Sequence, residues 1–367
     1  MPTDKNIKLD SALTPLSFLY GIGVRLRNQL FEWGVLPSEH YPIPVICIGN
    51  LSVGGTGKTP HTEYLIQLLK DKYRIAVLSR GYKRETSGFI LAGPECTSLE
   101  IGDEPYQMKN KFPDILVAVD ADRRRGIRNI LALPEAEQPE VILLDDAFQH
   151  RYVSPSLSII LTDYHRLFYY DKLMPVGRLR EPISGIRRTD IVIVTKCEED
   201  MKPIEFRIIE ENMKLQAHQH LYFTRVIYKD IQPVFPEIAP KRTWRKIKKE
   251  DEILLISGIA SPTLFIKEAQ KHSDKVAIAS FPDHHTFSKQ DFKKLNAQYE
   301  EMASENKIIL VTEKDAARLI NNPLMPEKWK QSLYCLPIGI NFCAGKDFDE
   351  TIIKHIISFQ KNSISHY

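Results

Sequence analysis

The sequence predicts an α/β protein with a parallel sheet, because short apolar runs alternate with helical stretches through most of the chain. The centres of the runs are mostly apolar and do not alternate with polar residues, as in strands that are covered on both faces. The first group occupies residues 45–48, 74–79, 115–120, 141–146, 157–162 and 190–195. A second group occupies residues 252–257, 276–280 and 307–312. The helical stretches between them would be the crossover connections that parallel strands require.

The two groups of runs predict two domains, and the length of 367 residues suits about two. Around Tyr222, an extended segment leads into three prolines and then a basic run at residues 241–249. We predict a hinge near Tyr222, with a solvated surface or a membrane or acidic-substrate contact at the basic run. The predicted regions are an N-terminal helix region at 1–35, a core domain at 36–221 and a smaller α/β lid domain at 222–367.

Composition excludes several classes of protein. Hydrophobic residues make up 43% of the chain and charged residues 26%, as in ordinary globular proteins. The net charge of +3 is too small to indicate a nucleic-acid partner. Five scattered cysteines without a Cys-x-x-Cys pair argue against a zinc site or a disulfide framework. We see no signal peptide with a basic start and a cleavage site.

The N-terminal region carries an amphipathic pattern. Residues 11–24 are uncharged, but fourteen residues are too few to span a bilayer, which takes ~20. One helical face would hold apolar side chains at Leu19, Ile22, Leu26, Leu30 and Trp33. Such a helix can lie in a membrane interface or can simply dock on the domain, and the pattern leaves both open.

The segment after the first apolar run reads Gly-Asn-Leu-Ser-Val-Gly-Gly-Thr-Gly-Lys-Thr-Pro over residues 49–60. A strand, a glycine-rich loop, Gly-Lys-Thr and a helix together predict a nucleotide phosphate cradle, and hence a sheet of the P-loop NTPase type. Ser52 departs from the strict motif, which has glycine there, so an ordinary tight turn is the alternative. The predicted nucleotide-binding residues are Ser52, Val53, Gly54, Gly55, Thr56, Gly57, Lys58 and Thr59.

Carboxylates follow at the ends of other predicted strands. Asp145 and Asp146 end an apolar run, where a P-loop protein holds Mg²⁺, although a helix cap is the alternative. Gln149 and His150 continue this loop and could reach a substrate or phosphate. Asp103 lies in Gly-Asp-Glu-Pro, which is either a helix start or a carboxylate that accepts the proton of an attacking hydroxyl.

Charged clusters elsewhere have two interpretations each. Arg123 and Arg180 lie in arginine-rich segments that suit phosphate, and Glu181 beside them could hold a metal; surface ion pairs are the alternative. In Asp283-His284-His285, a histidine paired with a carboxylate competes with a capped turn. Thr312-Glu-Lys-Asp315 could contact a purine or could close a helix.

In this order, the motifs resemble those of the tetraacyldisaccharide 4′-kinase family, the lipid A 4′-kinases of Gram-negative bacteria. The resemblance extends over residues 15–319. The matching segments are residues 49–60, 79–82, 102–105, 145–150, 175–182, 283–285 and 312–315. Ala147 departs from the family's Asp-Asp-Gly-Phe-Gln-His motif, and alanine would be costly if this backbone needs a positive φ.

The resemblance implies that ATP, with Mg²⁺, phosphorylates the 4′-hydroxyl of a tetraacyldisaccharide 1-phosphate and so gives lipid IVA. It implies a location at the cytoplasmic face of the inner membrane, with the N-terminal helix as a monotopic anchor. We expect a lipid A precursor as partner, no nucleic acid, and a monomer.

The resemblance also implies roles for individual residues. Asp103 would accept the hydroxyl proton, assisted by His284 in preference to His285. Lys58 would bind phosphates. The Mg²⁺ ligands would come from Thr59, Asp145, Asp146 and Glu181. The reaction centre would be lined by Arg123, Arg180, Gln149 and His150.

Other functions compete with this one. Thr195-Lys196-Cys197-Glu198 weakly resembles a guanine-reading motif, which would suit a membrane-recruited, GTPase-like nucleotide switch. A partition-type ATPase would have lysine in place of Val53. A soluble kinase for a small sugar or nucleoside would leave the amphipathic N-terminal stretch without a role.

Overall fold

A computed structural model describes residues 11–259, 262–283, 285–320, 322–345 and 347–364. The chain forms two compact units. The first unit comprises Met1–Cys96, Met108–Val226 and Ile340–Tyr367, and the second comprises Thr97–Gln107 and Ile227–Gly339. This division differs from the sequence-based one at two places, because the last residues return to the first unit and a short segment around residue 100 joins the second.

Fourteen strands are present in the described residues. They are β1 Val45–Asn50, β2 Ile75–Ser79, β3 Ile90–Leu91, β4 Leu116–Val119, β5 Val141–Asp145, β6 Leu157–Asp163, β7 Ile191–Thr195, β8 His220–Tyr228, β9 Gln232–Pro233, β10 Glu252–Ser257, β11 Lys275–Ser280, β12 Ile308–Thr312, β13 Leu333–Leu336 and β14 Ile338–Ala344.

Ten α-helices are described as well. They are α1 Thr14–Glu32, α2 Lys58–Leu69, α3 Ser98–Ile101, α4 Asp103–Lys111, α5 Arg123–Leu131, α6 Pro203–Met213, α7 Thr263–His272, α8 Lys289–Glu301, α9 Glu313–Ile320 and α10 Phe348–Ile364.

A nine-stranded sheet in the order β14-β8-β7-β6-β1-β5-β2-β4-β3 organises the first unit. The central strands are parallel, and Ile46 of β1 lies opposite both Leu143 of β5 and Leu157 of β6. All residues of β1, β2 and β5 are buried, including the polar residue at the end of each strand. Because parallel strands end at the same edge, the loops after β1 and β5 meet there.

The second unit is built on a five-stranded sheet in the order β11-β10-β12-β13-β9, in which only β9 is antiparallel to its neighbour. Alternate residues of β10 enter two apolar clusters. Leu254 packs in the cluster of Trp329, and Leu255 packs in that of Phe265. Both faces of β10 are therefore covered, which explains its run of apolar residues.

The sequence patterns missed the C-terminal return to the large sheet. Residues of β14 are mostly half-buried or exposed, so this strand lacks the apolar run that marks the central strands. Helix α10 did carry a usable signal. It buries Phe348, Ile352 and Ile356, and these positions recur every four residues, as on one face of a helix.

Helix α1 combines a docked edge with an exposed apolar side. Ser17 and Gly21 are buried, and the Ser17 hydroxyl donates to the Leu173 carbonyl at 2.9 Å. The apolar side chains that remain exposed on α1 are Leu16, Phe18, Leu19, Ile22 and Leu26. The buried residues are thus not those of the apolar face that the sequence pattern indicates, and most of that face stays exposed.

No helix within the described part of the chain is long and apolar enough to cross a membrane.

His61 ties the start of α2 to β8. Its Nδ1 donates to the Gly57 carbonyl at 2.7 Å, and its Nε2 lies 2.9 Å from the Thr224 hydroxyl, from which it can accept. Burial lowers the pKa of His61 to about 4. The folded protein therefore holds this imidazole neutral at physiological pH.

The shifted pKa predicts a pH-dependent loss of stability. In the unfolded chain His61 has the ordinary pKa of 6.5, whereas in the folded protein its pKa is about 4. Between these values the unfolded state binds one more proton, so the free energy of unfolding decreases as the pH falls. Between pH 7 and pH 5, the loss should be about 2 kcal/mol. We expect His61→Gln to abolish this component in urea unfolding, and exposed His218→Gln to retain it. An equal pH slope in wild type and His61→Gln would contradict the assignment.

Candidate active site

The loop between β1 and α2 has the shape of a phosphate cradle. Gly54 and Gly57 adopt positive φ values of 124° and 89°, which favour glycine, and α2 begins at Lys58 directly afterwards. Val53, Gly54 and Gly55 are exposed. Exposed backbone at a helix N-terminus offers N–H groups and a favourable dipole to an anion.

Backbone pairing holds the first half of this loop. Ser52 forms an isolated antiparallel bridge with Leu179, and the Val53 N–H donates to the Arg178 carbonyl at 2.7 Å. The Arg180 N–H donates to the Leu51 carbonyl at 2.7 Å. Ser52 is thus in a paired, extended segment, which has no need of the glycine of the strict motif.

Side chains from the end of β7 hold the second half. The Thr195 hydroxyl donates to the Thr56 carbonyl at 2.8 Å. Lys196 donates to the Gly55 carbonyl at 2.5 Å and pairs with Asp163 at 2.7 Å. Thr195 and Lys196, the first two residues of the segment that resembles a guanine-reading motif, therefore support the cradle.

The Asp146 carboxylate lies between two cations of the predicted site. Its Oδ1 is 3.6 Å from Lys58 Nζ and 3.1 Å from Arg180 Nη1. Burial favours the neutral acid, but Lys58 and Arg180 outweigh this effect and hold the pKa of Asp146 below its ordinary value. Asp146 is therefore ionised, and it sets the spacing between the cradle lysine and Arg180.

The backbone around Asp146 explains why Ala147 is tolerated. The positive φ of this loop falls on Asp146, at 48°, and Ala147 is not among the residues with positive φ. The Ala147 side chain packs into the core at 5% exposure. The departure from the family motif thus causes no backbone strain at this position.

Asp145, at the end of β5, is almost completely buried. The hydroxyls of Thr62 and Ser79 each lie 3.4 Å from its carboxylate oxygens. It is directed toward the start of α2, where Thr59 also lies. Hydroxyls contact the Asp145 carboxylate, whereas Lys58 and Arg180 contact that of Asp146, and the charge of Arg123 acts with both.

Arg123 and His150 lie near each other beside the Asp146 loop. Arg123 is 3% exposed, and its Nη2 donates to the Asp146 carbonyl at 3.4 Å. Its Nε has no hydrogen-bond partner among the described residues. Burial, and then the charge of Arg123, lowers the pKa of His150 to about 4, so this imidazole is neutral.

A chain of polar contacts runs from Gln149 to an arginine that sequence reasoning missed. The Gln149 amide donates to Glu181 at 3.0 Å, and Glu181 forms a close ion pair with Arg188. The Arg188 guanidinium lies 4.2 Å from the centroid of the Phe148 ring. Arg188 belongs to none of the recognised motifs, so the sequence carried no signal for it.

The described residues contain no group of three or more His, Cys, Asp or Glu that could hold a metal ion. The oxygens of Asp145, Asp146 and Thr59 nevertheless suit Mg²⁺, which usually takes one or two carboxylates together with substrate phosphates. Glu181 already contacts Arg188 and Gln149. Its assignment as a metal ligand stays a prediction.

Asp103 lies in the second unit, at the first residue of α4. Its Oδ2 accepts from Arg318 Nε at 2.9 Å and Nη2 at 2.8 Å. Arg318 in turn pairs with fully buried Asp315 at 3.0 Å and donates to the Gly258 carbonyl at 3.2 Å. The Asp103 side chain is thereby fixed by α9, a contact that sequence reasoning did not anticipate.

The other motifs of the second unit act at helix starts. Asp315 accepts from the Thr312 hydroxyl at 2.7 Å, which closes the start of α9. His285 lies 3.0 Å from the carboxylate of Asp291 beside the cap of α8. His284 lies outside the described residues, so its predicted role beside Asp103 stays a prediction.

The structure thus gathers one group of predicted residues around the loops after β1 and β5. The group consists of Ser52, Val53, Gly54, Gly55, Thr56, Gly57, Lys58, Thr59, Arg123, Asp145, Asp146, Gln149, His150, Arg180 and Glu181. It combines a phosphate cradle, three cations and hard oxygen ligands, which together suit phosphoryl transfer.

The Arg188 contact predicts a large effect on stability. Arg188→Gln would leave Glu181, which is 2% exposed, without its cation, at a cost of about 3 kcal/mol. Arg187→Gln is the matched control, because this neighbour is exposed, and it should change stability by less than about 0.5 kcal/mol. Denaturant midpoints of both variants would measure this. Equal midpoints would show that Glu181 does not depend on Arg188.

Comparisons with known proteins identify the family of this chain. Residues 9–357 match the model of the family described as Tetraacyldisaccharide-1-P 4'-kinase. A tetraacyldisaccharide 4'-kinase of Parabacteroides distasonis is 60% identical over 364 residues, which cover 99% of each chain. One of Bacteroides thetaiotaomicron is 49% identical, with 97% of this chain and 96% of the relative covered.

A solved structure is similar as well. It is described as the "apo" form of LpxK from Aquifex aeolicus in complex with ATP, and it is 30% identical with a TM-score of 0.71. The match covers 95% of this chain and 98% of that one. The predicted fold class and family resemblance are confirmed. The chain belongs to the tetraacyldisaccharide-1-P 4'-kinase family and is an ATP-binding kinase of lipid A biosynthesis.

Proposed function

We propose that the residues around Asp146 transfer the γ-phosphoryl group of ATP to the 4′-hydroxyl of a tetraacyldisaccharide 1-phosphate, which gives lipid IVA. The observation that carries this proposal is the position of Asp146 between Lys58 and Arg180, beside an exposed glycine cradle. Phosphoryl transfer needs little covalent chemistry from the protein, so positioned charges supply most of the catalysis.

Each cation would have a distinct task. Lys58 and the N–H groups of the cradle would bind the phosphates of ATP, while Arg180 and Arg123 would stabilise the charge that develops during transfer. The unpartnered Nε of Arg123 supports this role, because a buried donor without an acceptor suits an anionic ligand. Neutral His150 and Gln149 would orient the acceptor or a phosphate without adding charge.

Thr59, Asp145 and Asp146 would hold Mg²⁺, and Glu181 is the remaining candidate ligand. When bound, Mg²⁺ supplies charge neutralisation to the phosphates. The Asp146 carboxylate also separates Lys58 from Arg180, so it has a task in the protein itself. This assignment is supported by the hard oxygen donors at the end of β5.

Asp103 would accept the proton of the attacking hydroxyl, assisted by His284. Support for this role comes from its position in the family motif and from the two Arg318 contacts, which hold the carboxylate in one orientation. The lid role of the second unit stays a prediction.

We place the protein at the cytoplasmic face of the inner membrane, as a monomer that binds through α1. The exposed apolar side chains of α1 support this placement, since Phe18 and Leu19 are each more than 60% exposed. A lipid acceptor would be available there. A nucleotide switch is not favoured, because the family relatives are kinases.

The proposed base predicts a selective loss of turnover. We expect Asp103→Asn to lower kcat by at least about 100-fold, because general-base catalysis contributes that much or more. KM for ATP should change little. The measurement is transfer of labelled γ-phosphate from ATP to the lipid acceptor in mixed micelles. Glu104→Gln, next in the chain, is the control; undiminished turnover of Asp103→Asn would exclude the general-base role.

The membrane role of α1 predicts weaker vesicle binding when its apolar side chains are removed. Phe18→Ser with Leu19→Ser should weaken binding to phospholipid vesicles, measured by sedimentation, by at least about tenfold. The reason is that each substitution removes most of the free energy gained when the apolar side chain moves from water into the bilayer. The control is Leu99→Ser with Ile204→Ser, since these side chains are also more than half exposed. Equal losses in the two double variants would mean that α1 has no special role.

A further inference from the structure

A basic surface in the second unit has no part in the function proposed above. Residues 241–249, which we call the 241–249 surface, read Lys-Arg-Thr-Trp-Arg-Lys-Ile-Lys-Lys and contain six cations and no acid. They lie between β9 and β10 and include a short 3₁₀ turn at Trp244–Lys246. No predicted site residue belongs to this segment.

The segment is fixed by its apolar residues. The Trp244 ring stacks on His272 with centroids 4.0 Å apart and planes 9° apart. The backbone N–H of Trp244 donates to the Asp230 carboxylate at 2.6 Å, and Ile247 is 8% exposed. The inward packing of Trp244 and Ile247 leaves the intervening cations on the outside of a defined turn.

Most of these cations are not neutralised within the protein. Lys249 pairs with Asp274 at 3.5 Å. Four others are Lys241, Arg245, Lys246 and Lys248, and all four side chains are exposed. Within the described parts of the chain, none of the four forms an ion pair. Their positive charge is therefore available to an external partner.

We propose that the 241–249 surface binds the anionic headgroups of a phospholipid bilayer. Clustered lysines and arginines are attracted to such a surface by its negative potential and need no pocket. Single-stranded nucleic acid is the less suitable partner, because it needs exposed aromatic faces for stacking. One face of the aromatic ring of this segment, Trp244, is already occupied by His272.

The 241–249 surface would add an electrostatic membrane contact to the apolar contact that is proposed for α1. The exposed side of α1 is apolar, and apolar insertion alone often gives weak and reversible binding. Stable attachment commonly combines an apolar and an electrostatic signal. The two signals on this chain belong to different units, and each can be removed without altering the other.

The test uses the full chain and two triple variants with the same change in charge. The first, Arg245→Gln with Lys246→Gln and Lys248→Gln, removes three cations from the 241–249 surface. The control, Lys289→Gln with Lys293→Gln and Lys294→Gln, removes three exposed lysines from α8, in the same unit. Binding is measured by sedimentation with vesicles of phosphatidylcholine, with and without phosphatidylglycerol.

We expect the first variant to bind phosphatidylglycerol vesicles at least about tenfold more weakly at low salt, and the control to lose less than about threefold. Binding to phosphatidylcholine alone should be equal in all three proteins. Added salt should reduce the difference, because it screens exposed charges.

Three results would overturn the proposal: wild-type binding by the first variant, an equal loss in both variants, or a loss of oligonucleotide binding with vesicle binding retained. Circular dichroism checks folding. Kinase activity in uncharged detergent micelles should match wild type in both variants. Failure of the kinase assay with wild type would refute the proposed function and leave the vesicle result standing.

Discussion

The placement of one carboxylate between two cations is the constraint on which the active site depends. Asp146 reaches Lys58 because β1 and β5 are parallel neighbours, so their loops leave the sheet side by side. It reaches Arg180 because the segment before that arginine pairs with the cradle. Its own positive φ turns the chain at the end of β5. Sheet order, loop pairing and one left-handed residue thus bring three charges together.

A second layer of contacts keeps this arrangement rigid. Lys196 holds the exposed part of the cradle from β7, and His61 holds the start of α2 against β8. Arg188 fixes Glu181, which accepts from Gln149. Partners of this kind matter because charges that are already in place need no reorganisation during the reaction. In the proposed mechanism, the large sheet would contribute mainly by anchoring these partners.

Much of the first unit was predictable, because its central strands are mostly apolar and its cradle has a distinctive glycine pattern. Other features depended on contacts between distant residues. Strand β14 adds to the sheet beside β8, more than 100 residues earlier, and Arg318 reaches Asp103 from another helix. Whether Ala147 causes backbone strain depended on which residue of the loop adopts the positive φ. The structure shows that this residue is Asp146. Thr312 and Asp315 bond to each other at the start of α9, which fits one of the two alternatives that the sequence had left open.

Helix α1 donates hydrogen bonds to the backbone of two residues of the candidate site. The Tyr20 hydroxyl donates to the Arg180 carbonyl at 2.6 Å, and Arg27 donates to the Gln149 carbonyl at 3.2 Å. A rotation of α1 about its axis would strain or break these two bonds. Under the membrane placement proposed for α1, the depth of the helix in the interface would therefore also affect the positions of Arg180 and Gln149.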